Sequence, residues 1–322
     1  MFAVSAVRAD KDDPLAALEL GERPEPETPE SWTTVQVRAA SLNHHDLWSL
    51  RGVGLSADRL PMILGCDAAG VAEDGSEVIV HGVVGDPEAG GGDETLDPRR
   101  SLLSERWPGT FAERVRVPRR NLVPKPAALT FEQAACLPTA WLTAYRVLFD
   151  RAGLRPGQTV LVQGAGGGVA TAAIALGRAA GVRVWVTSRS EAKRAAALEL
   201  GADQAFESGQ RLPERVDAVL ESVGQATWAH SLRALRPGGT IVVVGATSGE
   251  APSAELNRVF FLQLSVVGST MGSREQLAAL ARFTEVSGVR PVIDRVLPLS
   301  RAREGFAAMA ADELFGKVVF TP

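Results

Sequence analysis

The chain contains 322 residues, 34 of them basic and 38 acidic, which gives a formal net charge of −4. This length favours two domains with sizeable cores, and the weakly acidic balance argues against nucleic acid as a partner. Two cysteines, Cys66 and Cys136, are too few for a disulfide framework or a four-cysteine zinc lobe and suit a reducing compartment. No apolar run reaches the roughly 18 residues of a membrane span, and the acidic N-terminus is unlike a signal peptide. These features predict a cytoplasmic protein without a membrane partner.

The first part of the chain, residues 1–126, is rich in short β-type runs. Prolines separate these runs, at Pro24, Pro26, Pro29, Pro61, Pro108, Pro118, Pro124 and Pro126. Proline disfavours helix interiors and central strands, so this part is predicted to be a β-rich, barrel-like domain. Residues 84–108 are rich in glycine and charge and predict a mobile surface loop near the cofactor cleft.

A helical pattern begins at Leu129. Thr130 is placed to cap a helix and Gln133 stands at its third position, an arrangement typical of a capping box. A second helix is predicted around residues 140–152. It leads into the strand that opens the next domain.

Residues 159–202 predict a strand, a glycine turn, a helix and a second strand followed by another helix. This βαβ unit of about 30 residues has the length of a dinucleotide-binding crossover. A helix N-terminus attracts a pyrophosphate, and glycines let it approach the backbone. The residues predicted at the pyrophosphate are Gly166, Gly167, Gly168 and Val169. A strict G-x-G-x-x-G is absent, so a flexible loop before a buried helix is the alternative.

The end of the second strand indicates which dinucleotide binds. NAD sites usually carry an acidic residue about 20 positions after the glycines, whereas this strand ends at Ser188, Arg189 and Ser190, with Lys193 one turn later. Hydroxyls and a guanidinium suit the 2′-phosphate of NADP, so we predict NADPH as cofactor. In the alternative, Ser190 only caps the helix and Arg189 is solvated; both can hold together.

The remaining strands alternate with helices and predict a parallel, doubly wound sheet. Residues 260–269 (FFLQLSVVGS) are predicted to be its last strand. An apolar strand at a sheet edge invites pairing across a two-fold axis, so we expect a homodimer through this strand. A helix at residues 275–286, a strand at 292–296 and a closing strand at 317–320 are predicted to rejoin the first domain. The predicted limits are 1–126, 127–272 and 273–322.

Several motifs together resemble the medium-chain dehydrogenase/reductase superfamily, and within it the quinone oxidoreductase branch. They span nearly the whole chain and comprise SLNHHDLW (41–48), LPMILGCDAAGV (60–71), RPGQTVLVQGAGGGV (155–169), DAVLESVG (217–224), LRPGGTIVVVG (235–245), LSVVGSTMG (264–272) and GKVVF (316–320). The resemblance implies an α/β protein with a GroES-like catalytic domain and a Rossmann domain. It also places a set of residues along the nicotinamide half of the cofactor: Thr143, Val223, Gly245, Ala246, Ser269 and Met271. A packing role is the alternative for each.

The sequence departs from the zinc-dependent alcohol dehydrogenases of this superfamily. The resemblance places Asn43, Cys66 with Asp67, and Thr139 at the positions of the catalytic metal ligands. Amide and hydroxyl groups are poor zinc ligands beside thiolate and imidazole, so we predict no metal and a buried, apolar role for Cys66. An atypical zinc site would need Cys66, Asp67 and one of His44 or His45.

Hydride transfer without zinc favours acceptors that delocalise the negative charge. We therefore predict an NADPH-dependent reductase of quinones or α,β-unsaturated carbonyl compounds, with a small-molecule substrate. The candidate donors to the substrate oxygen are Asn43, His45 and Tyr145. Packing is the alternative for His45 and for Tyr145.

By resemblance, His44 falls where a basic residue contacts the pyrophosphate, with packing again the alternative. Asp46 is predicted to have a structural role, and His81 and His230 to be surface or core residues. The alternative functions are an NADP-dependent alcohol dehydrogenase with the atypical zinc site and a nucleotide-binding protein with little turnover.

Overall fold

The computed structural model describes residues 1–25, 27 and 29–322, so Pro26 lies outside the described residues. The chain forms two compact units. Unit 1 comprises Met1–Leu142 with Gly272–Pro322, and unit 2 comprises Thr143–Met271. Within the described ranges, none of the helices combines the length and the apolar character that crossing a bilayer requires.

Strands and helices follow one another along most of the described chain. The strands are β1 (Phe2–Ala6), β2 (Leu18–Glu22), β3 (Trp32–Ser41), β4 (Met62–Ile63), β5 (Ala68–Ala72), β6 (Glu77–Val80), β7 (Val83–Val84), β8 (Ser101–Leu102), β9 (Arg114–Pro118), β10 (Leu122–Pro124), β11 (Thr159–Gln163), β12 (Arg183–Thr187), β13 (Gln204–Phe206), β14 (Val216–Glu221), β15 (Leu235–Val243), β16 (Ser265–Gly268), β17 (Ile293–Pro298) and β18 (Lys317–Thr321). The helices are α1 (His44–Leu50), α2 (Phe131–Ala135), α3 (Leu142–Tyr145), α4 (Gly168–Ala179), α5 (Glu191–Leu200), α6 (Gln225–Ala234), α7 (Leu256–Phe261), α8 (Arg274–Ser287) and α9 (Ala302–Ala310). Two π-helical segments, Leu137–Trp141 and Arg146–Arg151, flank α3.

Unit 1 is the expected β-rich domain. Its seven-stranded sheet has the order β10-β6-β5-β3-β18-β17, with β9 also paired to β3, and a three-stranded sheet has the order β2-β1-β4. Three buried aromatic side chains meet in the core, where Phe111 lies edge-on to Phe320 with the ring centroids 5.1 Å apart and Phe306 stacks on Phe320. Strand β18 pairs with β3, so residues 317–320 take part in the sheet of unit 1.

The boundary between the units follows Leu142, whereas the sequence placed it after residue 126. Helix α2 contacts β3 and β5, and this packing keeps residues 131–142 with unit 1. Thr130 accepts a hydrogen bond from the Gln133 N–H and the Gln133 side chain accepts one from the Thr130 N–H. The predicted capping box is therefore present.

Residues 84–108 differ from the loop that the sequence predicted. Strands β7 and β8 pair with each other, and a 3₁₀ turn, Glu94–Leu96, lies between them. The side chains of Glu94, Thr95 and Asp97 are buried. The many glycines and charged residues suggested a solvated loop. The charged side chains instead contact backbone N–H groups and a buried histidine, and these contacts hold the segment against the rest of the domain.

Unit 2 contains the predicted parallel sheet. Its six strands have the order β13-β12-β11-β14-β15-β16, and every pair in this sheet is parallel. The chain runs outward in one direction from β11 to β13 and in the other from β14 to β16. Doubly wound sheets bind ligands at the carboxyl ends of their strands beside such a switch point, which in this sheet falls between β11 and β14.

The last strand of this sheet is shorter than predicted. Only Ser265–Gly268 form β16, and the phenylalanines assigned to the strand belong to helix α7. At helical spacing Val259 and Leu262 both pack on the core, and Gln263 then breaks the helix with a φ of 51°. An apolar run of this length suits either element, and here the helix is the element that packs the partly buried Val259 and Leu262 together on the core.

Candidate functional site

The glycine turn after β11 has the geometry that a pyrophosphate needs. Gly164 has a φ of +98°, and Gly167 is the N-cap of α4. A Cβ built on either residue would meet no other heavy atom within 4 Å. Internal packing therefore does not require a glycine at Gly167, while a ligand lying against this backbone would. The residues fit a dinucleotide phosphate at the N-terminus of a twelve-residue helix.

A buried hydrogen-bond network around Gln163, the last residue of β11, supports this turn. Gln163 accepts a hydrogen bond from Thr187 Oγ1 at 2.7 Å, and its Nε2 lies 3.0 Å from His230 Nδ1 and 2.9 Å from Ser231 Oγ. His230 Nε2 lies 2.8 Å from the carbonyl oxygen of Gln210, so Nε2 donates and Nδ1 accepts. His230 is thus a core residue. The network escaped the sequence analysis because its members are far apart in the chain; only a glutamine ending an apolar strand hinted at it.

The end of β12 carries the predicted adenosine-phosphate residues. Ser188 is half-buried, Arg189 is exposed and Lys193 is half-buried. Ser190 Oγ accepts from the Lys193 N–H at 3.3 Å, so it caps α5 as the alternative interpretation stated. A residue that the sequence analysis missed, Arg194, donates to the carbonyl of Ser188 at 2.7 Å. Residues 188–194 therefore contain three basic side chains and two hydroxyl groups: Arg189, Lys193 and Arg194, with Ser188 and Ser190.

The predicted nicotinamide residues of unit 2 follow neighbouring strands. Buried Glu221 accepts hydrogen bonds from the N–H groups of Val223 and Gly224 at 2.8 and 2.9 Å, which fixes the turn after β14. Four other predicted residues follow β15 and β16 at the same edge of the sheet: Gly245, Ala246, Ser269 and Met271. Ser269 Oγ is buried without a hydrogen-bond partner in the described residues, and Met271 has a φ of 45°.

Thr143 and Tyr145 lie on helix α3. Thr143 is buried, whereas Tyr145 is half-buried and packs edge-on against Phe149 with the ring centroids 5.0 Å apart. The packing interpretation of Tyr145 therefore has a structural basis. Its role as a donor stays a prediction.

Unit 1 contains a buried polar cluster at the positions where the resemblance places metal ligands. Asp67 Oδ1 accepts from Thr139 Oγ1 at 2.5 Å, and Oδ2 accepts from Ser41 Oγ and Asn43 Nδ2, both at 2.8 Å. Lys317 Nζ donates to Asn43 Oδ1 at 2.5 Å and to the Leu42 carbonyl at 2.6 Å. The ammonium group also lies 3.7 Å from Asp67 Oδ2. We call these side chains, Ser41, Asn43, Asp67, Thr139 and Lys317, the lysine cluster.

The lysine cluster does not fit a zinc ion. Both Asp67 oxygens already accept hydrogen bonds, and a buried ammonium group supplies positive charge where the metal would have to supply it. Burial raises the pKa of the Cys66 thiol well above its ordinary value, and the Asp46 and Asp67 carboxylates raise it further. Among the residues described, no group of three or more His, Cys, Asp or Glu side chains could hold a metal.

The Asn43 amide is fully engaged in this cluster. Its Nδ2 donates to Asp67 at 2.8 Å and to the Ser41 carbonyl at 3.3 Å. An amide nitrogen carries two hydrogens, so no N–H group of Asn43 is left for a substrate oxygen. This geometry favours a positioning role over the donor role that the sequence analysis considered.

Helix α1 presents the two adjacent histidines. His44 is exposed and His45 is half-buried. His45 Nε2 lies 3.3 Å from Ser104 Oγ and 3.8 Å from Glu105 Oε1. The buried Asp46 carboxylate accepts from the N–H groups of Asn43 and Gly65 at 2.9 and 3.1 Å and anchors the start of α1. Burial raises the pKa of this carboxyl to about 6, against the opposing charge of His45.

Comparison with known proteins identifies the family. The family model of the alcohol dehydrogenase GroES-like domain matches residues 29–127, and that of the zinc-binding dehydrogenases matches residues 168–285. A solved structure of an NAD-dependent alcohol dehydrogenase is 35% identical, covers 100% of both chains and has a TM-score of 0.91. The chain belongs to the medium-chain dehydrogenase/reductase superfamily. The fold that the resemblance implied, a GroES-like domain with a Rossmann domain, is confirmed.

Two further relatives act on unsaturated thioesters according to their names. The acryloyl-coenzyme A reductase of Sulfurisphaera tokodaii is 28% identical over 96% of this chain and 98% of its own. The structure of the 2-octenoyl-CoA carboxylase reductase CinF, in complex with NADP and 2-octenoyl-CoA, is 28% identical with a TM-score of 0.92 and covers 99% of this chain and 87% of CinF. This superfamily member is therefore an oxidoreductase that uses a nicotinamide cofactor.

Proposed function

We propose that this superfamily member is an NADPH-dependent reductase of α,β-unsaturated carbonyl compounds, quinones included, that works without zinc. The observation that carries the proposal is the lysine cluster. Its Asp67 oxygens and its Asn43 amide are engaged with one another and with Lys317, while the glycine turn of unit 2 fits a dinucleotide.

A reaction without a Lewis acid limits which substrates can accept the hydride. A reduced nicotinamide supplies a hydride when it is bound. Hydride addition to a simple ketone leaves a localised alkoxide, which zinc normally stabilises, whereas addition to the β-carbon of an enone leaves a delocalised enolate. The names of the acryloyl-coenzyme A and 2-octenoyl-CoA reductases support the same class of acceptor.

Reduction of such an acceptor also needs a proton. Within unit 1, His45 has the chemistry for this, because an imidazole can hold a proton near neutral pH and release it. Asn43 is committed to the lysine cluster. We therefore propose His45 as the proton donor, with Tyr145 of unit 2 as the second candidate.

The stretch Ser188–Ser190 supports the preference for NADPH. In the place where NAD sites carry an acidic residue, it offers hydroxyls and the exposed guanidinium of Arg189. A guanidinium and a phosphate form a strong, charge-assisted contact. NADH, which has only a 2′-hydroxyl at this position, would not form this charge-assisted contact with Arg189.

We also propose that the partner is a second copy of the chain. Strand β16 is the outer strand of the parallel sheet, so one of its edges has no neighbouring strand in the described residues. Exposed apolar side chains lie on this strand and on the helix that precedes it in the chain: Val266 on β16 and Leu256, Phe260 and Phe261 on α7. A sheet edge with such surroundings pairs readily with an identical edge across a two-fold axis.

The deciding experiment is a cofactor-oxidation screen at 340 nm over enones, enoyl thioesters, quinones, aldehydes and simple ketones, with zinc content measured on protein purified without chelators. We expect oxidation of NADPH by the conjugated acceptors only, and less than about 0.1 zinc per chain. Stoichiometric zinc with turnover of an alcohol would favour the atypical alcohol dehydrogenase. Tight NADPH binding without any turnover would favour a nucleotide-binding protein.

A further inference from the structure

We propose that Glu105 is a positioning residue for His45: with Ser104 it holds the imidazole by Nε2, so that Nδ1 is the nitrogen that delivers the proton. This inference rests on the proposed function, in which His45 is the proton donor. It extends that function to a pair of residues in the 84–108 segment that no sequence motif pointed to.

The polar contacts of the His45 ring involve only one of its two nitrogens, Nε2. Nε2 lies 3.3 Å from Ser104 Oγ and 3.8 Å from Glu105 Oε1, while Nδ1 has no hydrogen-bond partner among the described residues. A carboxylate beside one ring nitrogen favours the tautomer that keeps the hydrogen on that nitrogen. The other nitrogen is then the exchangeable position.

Ser104 is held in place at a conformational cost. Its φ is 67° although it is not a glycine, and its side chain is fully buried. Residues in this region of backbone space persist where surrounding structure enforces them, often at functional sites. The N–H of Ser104 donates to the Trp107 carbonyl at 2.7 Å, and its Oγ lies 3.9 Å from Cys66 Sγ. The hydroxyl therefore sits between a thiol and the imidazole.

Gly54 leaves room for the pair. A Cβ at this position would lie 2.8 Å from Glu105 Oε1 and 3.9 Å from His45 Cε1. The close approach of the carboxylate to the ring thus depends on a glycine from a third segment. Two other segments of unit 1, residues 104–105 and Gly54, therefore approach the imidazole.

The proton balance is simple. The cationic ring gives its Nδ1 proton to the enolate that hydride addition creates, and the N–H bond breaks as a C–H or O–H bond forms. The ring becomes neutral and keeps its Nε2 hydrogen toward Glu105 and Ser104. The side chain of His45 is 21% exposed, so solvent can return the proton to Nδ1 before the next turnover.

The charges around the ring are consistent with this role. Burial raises the pKa of the Glu105 carboxyl, and the charges of His45 and Arg100 oppose that rise. Asp46 is a second carboxyl within reach of the electrostatic field of His45.

The test compares Glu105→Gln and Glu105→Asp with Glu88→Gln, an exposed carboxylate of the same segment. We expect Glu105→Gln to lower kcat by about 10- to 100-fold while KM for NADPH stays within about twofold. Its alkaline limb of kcat should move to lower pH by up to about one unit, because the cationic ring loses its negative neighbour. Glu105→Asp should recover part of kcat. Equal pH profiles for all variants would overturn the inference.

A second measurement does not need turnover. In NMR titrations, with the His45 signal assigned by its loss in His45→Gln, the midpoint of that signal should fall in Glu105→Gln and stay unchanged in Glu88→Gln. Ser104→Gly removes the hydroxyl and relieves the positive φ, so it should fold well and still lower kcat several-fold. Should His45→Gln abolish turnover while Glu105→Gln changes neither the kinetics nor the midpoint, the proposed function would stand and this inference would fail. A shifted midpoint in a protein that turns over none of the acceptors would support the pairing of Glu105 with His45 and overturn the proposed function instead.

Discussion

Lys317 donates a hydrogen bond to Asn43 Oδ1 at 2.5 Å, although the two residues are 274 positions apart in the chain. Both lie in the lysine cluster with Asp67, whose side chain is fully buried. A buried charge that loses its partner is strongly destabilising. This contact therefore ties the end of β3 to β18 and keeps a cation beside the carboxylate.

The first prediction concerns this cation. Lys317→Met should lower the free energy of unfolding by about 3 kcal/mol, because Asp67 keeps its hydrogen bonds and loses its counter-charge. Urea unfolding followed by circular dichroism measures the change. The exposed Lys11→Met is the control and should have little effect. Equal stability of the two variants would show that the cluster needs no ammonium group.

The second prediction separates ligand binding from folding at the glycine turn. Gly167 has a φ of −74°, and a Cβ there meets nothing within 4 Å, so Gly167→Ala should fold almost normally. It should weaken NADPH binding by about tenfold or more, since the methyl group enters the space of the phosphates. Fluorescence titration with NADPH measures the affinity. Gly21→Ala, at a glycine of unit 1 that is equally uncrowded, should bind like the unchanged protein.

The third prediction concerns the choice of cofactor. Arg189→Asp should raise KM for NADPH by about 10- to 100-fold, the cost of losing a charged hydrogen bond, and change KM for NADH little. Arg211→Asp makes the same charge change at another exposed arginine of unit 2 and serves as the control. An equal loss for both cofactors would remove the assignment of Arg189 to the 2′-phosphate.

The fourth prediction is a pH dependence of stability. Burial alone would raise the pKa of the Glu94 carboxyl, but His81, whose Nε2 lies 3.0 Å from Glu94 Oε1, and a hydrogen bond from the Arg274 N–H lower it to about 2. A lowered pKa stabilises the fold above the unfolded value of 4.5, and this contribution is lost as the pH falls from 4.5 toward 2.

Glu94→Gln should therefore lower the free energy of unfolding by about 3 kcal/mol at pH 6. Between pH 5 and pH 3 its free energy of unfolding should change less with pH than that of the unchanged protein. Unfolding in urea at a series of pH values gives both quantities. Glu88→Gln, exposed on the same segment, should follow the unchanged protein. Parallel curves for Glu94→Gln and the unchanged protein would contradict the stabilising role of the carboxylate.

The fifth prediction tests the proposed homodimer, in which two copies of the chain pair through β16. Val266→Lys places a charge on the outer edge of the unit 2 sheet, where Val266 is 48% exposed, so it should convert a dimer to a monomer in sedimentation velocity. Val286→Lys is the control because Val286 is 90% exposed on a helix of unit 1. A dimer that tolerates Val266→Lys and dissociates with Val286→Lys would place the interface elsewhere.

Local patterns made the fold of unit 2 predictable. The glycine turn, the cap at Ser190 and the alternation of strands with helices each depend on residues close together in the chain. The predicted strand at 260–269 was wrong for most of its length because an apolar run suits a helix equally well. Only the packing of the partly buried Val259 and Leu262 against the core settles the choice.

The candidate site in unit 1 was less predictable because its contacts join distant segments. Asn43, His45, Cys66 and Lys317 stood in recognisable motifs, but no motif paired Lys317 with Asn43, and Ser104 and Glu105 stood in none. Lys317 is one of four lysines in the chain, and a basic residue opening an apolar strand was the one signal available. Spacing along the chain cannot show that such a side chain turns inward to a carboxylate.

The division of the chain also bears on the order in which the protein folds. Residues 272–322 leave the ribosome after the whole of unit 2, yet they supply β18, an interior strand of the unit 1 sheet between β3 and β17. Until that strand arrives, the end of β3, at Ala40 and Ser41, lacks one of its neighbours. Unit 2 is continuous and can close on itself while synthesis proceeds. Residues 1–142 therefore keep an exposed strand edge until residues 272–322 have been synthesised, and an exposed strand edge is prone to aggregation.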